Sequence, residues 1–158
     1  MDAPNPARQA ALRRLDALSH LLDNSIPVPG TQARFGLDAV IGLIPGFGDA
    51  AGAVVSAYVV VQGARLGASV PTLIRMLLNV GIEAVAGAVP VLGDLFDAAF
   101  KANARNVALL RREMDLPGST RRSSKAVVGA VIVALVVILG GIGILAFLAA
   151  RALWSLVT

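Results

Sequence analysis

The sequence predicts an all-α protein, in which a duplicated helix-turn-helix repeat forms a helical bundle and one C-terminal transmembrane helix follows it. Three observations carry this reading. The stretch Gly36 to Asp49, GLDAVIGLIPGFGD, returns from Gly81 to Asp94 as GIEAVAGAVPVLGD, at an offset of about 45 residues, a period at which a helical hairpin is the repeating unit. Ala126 to Ala150 supplies 25 residues without a charged or strongly polar side chain. At about 1.5 Å rise per residue, that run crosses a hydrocarbon core of about 30 Å. Finally, the 158 residues are 56% apolar and only 15% charged, a balance that belongs to membrane proteins rather than to ordinary soluble domains.

Residues 1–30 form the first unit. The start, MDAPNPARQ, has no apolar core behind a basic head, so no secretory signal peptide is read there. From Pro6 to Asp23, Leu12, Leu15, Leu18 and Leu22 recur every three or four residues while Arg13, Arg14 and Asp16 lie off that stripe. This predicts an amphipathic helix. Its stripe is expected to dock on the rest of the domain, with a membrane surface as the alternative. Pro27, Pro29 and Gly30 then end the helix and turn the chain.

Residues 31–114 hold the duplicated domain, about 31–66 and 71–114. Repeat one predicts a short helix from Gln32 to Ile44, a turn at Pro45 to Gly48 and a longer helix from Asp49 to Leu66. Repeat two predicts helices from Pro71 to Val89 and from Asp94 to Met114, around Pro90 and Gly93. Neither proline can sit inside a helix without losing a backbone bond and clashing with the preceding turn. The glycines permit tight reversal, and an aspartate suits the next N-cap. Because each repeat contains two helices, the chain enters both in the same direction. The expected architecture is an up-down-up-down bundle with both proline turns at one end.

Residues 115–125 read as a linker with a basic cluster at Arg121, Arg122 and Lys125, and 126–150 as the transmembrane helix. Ala126, Ala130 and Ala134 form a small-residue stripe in that span, and Trp154 sits where an interfacial anchor would. The longest uncharged run in the repeats, Ala50 to Ala64, has 15 residues, short for a lipid-facing span and typical of buried or re-entrant helices. The last repeat helix carries Asp97, Lys101 and Arg105 on one side and Phe96, Phe100, Val107 and Leu110 toward another, so it is half wet. A helical domain seated on or partly in the membrane, tethered by one span, follows.

Polar residues stand out against this background. Asp49 and Asp94 close the two turns, where they either cap helices, with Asp97 completing a capping-box-like arrangement in the second, or form a cation site with turn carbonyls. Arg75, Asn79 and Glu83 recur at four-residue spacing, with Arg34 and Asp38 equivalent in repeat one. Buried charge is expensive unless paired, so these are expected to meet one another, or Asp97, Lys101 and Arg105, in an internal network. The alternative is a hydrated path, for which Asp38, Asp49, Asn79, Glu83, Asp94 and Asp97 are the candidate residues. The metal, if any, is unassigned.

Catalytic patterns are missing. His20 is the single histidine and there is no cysteine, which excludes thiolate metal sites, disulfides and cysteine nucleophiles. No P-loop, dinucleotide fingerprint or zinc spacing occurs, so neither an enzyme nor a cofactor is expected. The net charge of +4 comes from residues scattered on helices or gathered beside the span, almost without interleaved aromatics. That pattern orients a membrane protein and does not bind nucleic acid.

The runs IPVPGTQARFGLDAVIGLIPGFGD and RMLLNVGIEAVAGAVPVLGDLFDAAFKANARNVALLRR together resemble the domain of unknown function 4112 family, found mainly in bacteria, over about residues 15 to 112. The resemblance implies a small, helical, membrane-associated protein and supplies no activity. The expectation is an integral membrane protein that assembles with its own copies in a lipid bilayer and acts as a small ion channel or transport-like protein, with a cation as candidate ligand. A non-catalytic scaffold or partner-binding module is the other reading. Arg111, Arg112, Arg121, Arg122 and Lys125 precede the span and only Arg151 follows it. This places residues 1–125 on the cytoplasmic side of the cell's inner (plasma) membrane.

Overall fold

The computed structural model describes residues 6–24, 26–27, 34–35, 48–87, 100–115 and 123–157. Five helices occupy most of them: α1 (Pro6–Asn24), α2 (Gly48–Arg65), α3 (Val70–Gly87), α4 (Ala102–Met114) and α5 (Lys125–Val157). Two-residue strands, β1 (Ile26–Pro27) and β2 (Arg34–Phe35), pair antiparallel between α1 and α2, with Ile26 opposite Phe35. The helix expected to begin at Gln32 therefore does not begin there. Pro27 suits an extended backbone, and Arg34 lies opposite it across the pair of strands. The rest of that expected helix, and both proline turns, lie outside the described residues.

The leucine stripe of α1 does what its spacing predicts. Leu15 and Leu22 are buried while Arg13 and Arg14 are exposed, and the helix packs chiefly on α4. Helix α2 buries Val59, Val60 and Ala64 and ends in a Schellman motif: Ala68 N–H donates to Gly63 O and Gly67 N–H to Ala64 O. Gly67 takes φ 84° there, a conformation in which any side chain would crowd the backbone. Helix α3 starts directly after this turn and buries Leu73, Met76 and Val80 against α2 and α4. Its other face is apolar too, with Val70, Ile74, Leu78, Ile82 and Val85 all exposed.

The last repeat helix is broken. Phe100 is helical, Lys101 adopts the left-handed region at φ 50° and ψ 60°, and α4 resumes at Ala102. A continuous helix from Asp94 is thus ruled out. A lysine in that region costs about 1–2 kcal/mol, and what offsets the cost is long-range: the break aims the first turn of α4 at Asp23 of α1. At the repeat offset Lys101 corresponds to Ser56, which lies inside unbroken α2. The two expected repeats therefore differ in structure at this position.

Helix α5 begins one residue before the predicted span and runs seven beyond it. It packs on α2 and α3 through Val127, Val128, Val131, Leu135 and Leu139. Its direction follows from two contacts: Ser123 Oγ donates to Ala64 O at 3.2 Å beside the α2–α3 turn, and a Cβ placed on Gly81 would lie 3.7 Å from Ile138 Cγ2. So α5 runs parallel to α3 and continues past Gly87. Among the described residues, side-chain carbons at Gly129, Gly140, Gly141 or Gly143 would meet nothing within 4 Å, so these glycines make no close helix contact there.

Long-range hydrogen bonds set the remaining directions. At one end Arg8 of α1 donates to Leu66 O at 2.8 Å, and Ser69 N–H donates to Glu113 of α4 at 2.7 Å. Toward the other, Asp23 meets the start of α4. Helices α1 to α4 thus alternate in direction, with α5 parallel to α1 and α3; the bundle expected of the four repeat helices differs, because its first helix, 32–44, is not among the described helices and α1 takes part instead. Of the described residues, Val70–Gly87 and Lys125–Ser155 are long and apolar enough to cross a membrane.

Candidate functional site

The polar side chains inside the bundle converge from four helices. Asp23 ends the buried stripe of α1, one residue after Leu22. Its Oδ2 accepts the Ala104 N–H at 2.7 Å, the third N–H of α4, which has no intrahelical acceptor. Lys101, the residue at the cap position, makes no side-chain cap, so α1 caps α4 in trans. Asp23 Oδ1 also accepts from Asn103 Nδ2 at 3.1 Å. Asn103 is fully buried, and its Oδ1 lies 3.0 Å from Ser56 Oγ of α2. That hydroxyl is in turn 2.7 Å from Glu83 Oε2 of α3. One turn along, Asn79 Nδ2 donates to Asn106 Oδ1 at 2.7 Å, and Asn106 Nδ2 to Met76 O at 3.4 Å.

Burial dominates the electrostatics of Asp23. Desolvation raises its carboxyl above the ordinary aspartate range, while the Ala104 N–H, the Asn103 amide and the charge of Lys101 pull it back in lessening degree. Asn79 and Glu83 thus belong to the polar interior, as their spacing suggested. Arg75 does not: it is exposed. Four residues advance a helix by about 400°, so the row drifts by about 40° per step and carries Arg75 off the face that Glu83 presents. Gly48 and Asp49 are the first two residues of α2, so Asp49 stands inside the helix and not at the N-cap before it. Asp38, Pro45, Pro90, Gly93, Asp94 and Asp97 lie outside the described residues.

The partners not singled out from the sequence are Asp23, Ser56, Asn103 and Asn106. A signal for two of them was present. Asn103 and Asn106 share the face of Val107 and Leu110, and an amide on a buried stripe needs a polar partner. Among the described residues no group of three or more His, Asp or Glu side chains comes together as metal ligands. What the arrangement does chemically is join two carboxyls in one row of hydrogen bonds through a hydroxyl and an amide.

The opposite end is held by peripheral contacts. Arg111 of α4 pairs with Asp16 of α1, and both are partly solvated. Such pairs contribute little. Arg111→Ala is expected to lower stability by less than about 1 kcal/mol in chemical denaturation in detergent; a larger loss would show that this pair, and not the buried cluster, fixes α1 on α4.

Comparison with known proteins supplies a family and no chemistry. No curated protein and no solved structure matches the chain. A family profile described as Domain of unknown function (DUF4112) matches residues 11–114, which contain α2, α3 and α4 and most of α1, and leave α5 outside. The chain with its four-helix polar interior therefore belongs to the family of domain of unknown function 4112.

Proposed function

We propose that this is an integral protein of the cell's inner (plasma) membrane whose copies assemble around their polar faces to form a small ion-conducting or transport-like pathway. One observation carries the reading. The exposed apolar row of α3 is continuous with α5, because Leu78, Ile82 and Val85 share an open groove with Ile138 and Ile142. Exposed charges, Arg13 and Arg14 on α1 and Arg105 on α4, stand on other helices of the bundle and so on another face. If α5 spans the bilayer, both faces lie at membrane depth. An arginine facing lipid there costs about 2.5–3.5 kcal/mol or more, and assembly that encloses the charged faces around water removes that cost.

A second reading, a non-catalytic scaffold, is favoured by a different observation: Asn79, Glu83 and Asp23 find their partners inside one bundle. The two readings separate by experiment. Since the chain has no cysteine, single cysteines report only their own sites. In vesicles, Arg14→Cys is expected to react with a membrane-impermeant maleimide and to cross-link between copies, and Leu78→Cys is expected to do neither. Equal labelling at both positions would exclude a lipid-facing α3. Assembled protein that passes no ions in proteoliposomes would leave the scaffold reading. The basic residues before α5 support a cytoplasmic location for the N-terminal end of that helix. A reporter fused after Thr158 should then be active only when it functions outside the cytoplasm, and cytoplasmic activity would reverse the topology.

A further inference from the structure

The row Asp23, Asn103, Ser56, Glu83 is one proton short if both carboxyls are ionised. Three hydrogen bonds join it, of 3.1, 3.0 and 2.7 Å, and each needs a hydrogen between its heavy atoms. The Asn103 amide serves one of its two links as donor and the other as acceptor, and the Ser56 hydroxyl owns a single hydrogen. Two hydrogens therefore serve three bonds, and an ionised carboxylate brings none. Sharing the Ser56 hydrogen between two acceptors does not resolve this, since the 2.7 Å link to Glu83 is already at the usual length of a full O–H···O bond.

We propose that Asp23 and Glu83 hold one exchangeable proton between them, which makes this buried cluster a proton-binding site with two alternative seats. With the proton on Glu83, that carboxyl donates to Ser56, Ser56 to Asn103 Oδ1, and the Asn103 amide N–H to ionised Asp23. With the proton on Asp23 the order reverses: Asp23 donates to the Asn103 carbonyl oxygen, the amide N–H to Ser56, and Ser56 to ionised Glu83. Only O–H and hydrogen bonds change, and the row holds one extra proton in both states. Moving from one seat to the other requires the Asn103 amide to turn by about 180°, the flip that exchanges its oxygen and nitrogen. The cluster is therefore a two-state element and not a continuous proton wire.

The surroundings fit such a site. Burial favours the neutral form of Asp23. Of the charged groups on the packed elements, Lys101 acts on Asp23 from the start of α4, whereas Arg105 is exposed and engaged with the carbonyl and ring of Phe100. On α2 the charges are Asp49 in the first turn and Arg65 in the last, β2 carries Arg34, and α5 has none between Lys125 and Arg151. Arg75 on α3 and His20 on α1 are exposed. The proton count concerns a single bundle and holds whether or not copies assemble or conduct, so its failure leaves the membrane reading standing.

The pH dependence has a definite sign. Unfolded, both carboxyls are ionised above about pH 5, while the native cluster keeps one proton. The native state then binds more protons, so stability falls as pH rises, by about tenfold per pH unit in the folding constant, until the native cluster deprotonates. The test compares the detergent-solubilised parent with the double variant Asp23→Asn/Glu83→Gln, whose amides supply hydrogens at both ends and keep all three bonds. The parent is expected to show the protonated-carboxyl C=O absorption in the infrared at about pH 7, and a folding constant that falls about tenfold more per pH unit than the variant's between about pH 5.5 and 7. The variant should lack the absorption. A parent without the band at about pH 7, or a variant that retains it undiminished, would overturn the assignment. Should the variant fail to fold, the infrared titration of the parent alone decides, because a band lost below about pH 6 is incompatible with a retained proton.

Discussion

Asp23→Ala is expected to destabilise the bundle by about 2–6 kcal/mol, the larger of the effects anticipated here. Two buried donors lose their acceptor at once: the Ala104 N–H at the start of α4 and the Asn103 amide. Each buried polar group left unsatisfied costs about 1–3 kcal/mol. The loss also removes the compensation for the left-handed Lys101, so α4 should fray from its N-terminus. Asp23→Asn is the control, because an asparagine oxygen can still accept the Ala104 N–H. It should melt close to the parent in detergent. If alanine and asparagine at position 23 behave alike, the cap in trans is not what holds α1 on α4.

Leu110→Ala should cost about 2–5 kcal/mol, the usual range for emptying a fully buried leucine site. Leu110 is wholly buried at the crossing of α2 and α4, where a Cβ on Gly63 would lie 3.0 Å from its Cδ2 and 3.1 Å from Met76 Cε. Glycine at position 63 lets α2 approach the side chains of α3 and α4 closely, and a methyl there is tight against both side-chain ends. Gly63→Ala in the parent forces Leu110 and Met76 apart and should destabilise. In the Leu110→Ala background the added methyl enters vacated space, so the double variant should be more stable than the sum of the two single losses. Additive losses, read as urea midpoints in mild detergent, would mean that these side chains do not share one cavity.

The membrane reading and the proton site rest on different parts of the chain. The first depends on α5 and the outer face of α3, both apolar and exposed, the second on four side chains inside the bundle. Measurements can separate them. Loss of ion flux with the infrared band intact would leave a pH-sensitive scaffold, and loss of the band with flux intact would leave a pathway whose selectivity lies elsewhere.

What the sequence by itself determined here is everything governed by neighbours along the chain. The leucine spacing of α1, the proline and glycine stops that frame α2 and α3, and the hydropathy of α5 are local signals, and these helices begin and end within a few residues of where those signals place them, except that α5 runs on to Val157. Asn79 and Glu83 were legible as interior polar groups for the same reason, through their spacing on one apolar helix. Only the tertiary structure decided their partners. Glu83 meets Ser56 across 27 residues of chain, Ser56 meets Asn103 across 47, and Asn103 meets Asp23 across 80. The break at Lys101 belongs with these contacts. A left-handed lysine is locally unfavourable, and no periodicity could announce it, because the hydrogen bonds that offset its cost come from a helix at the other end of the sequence.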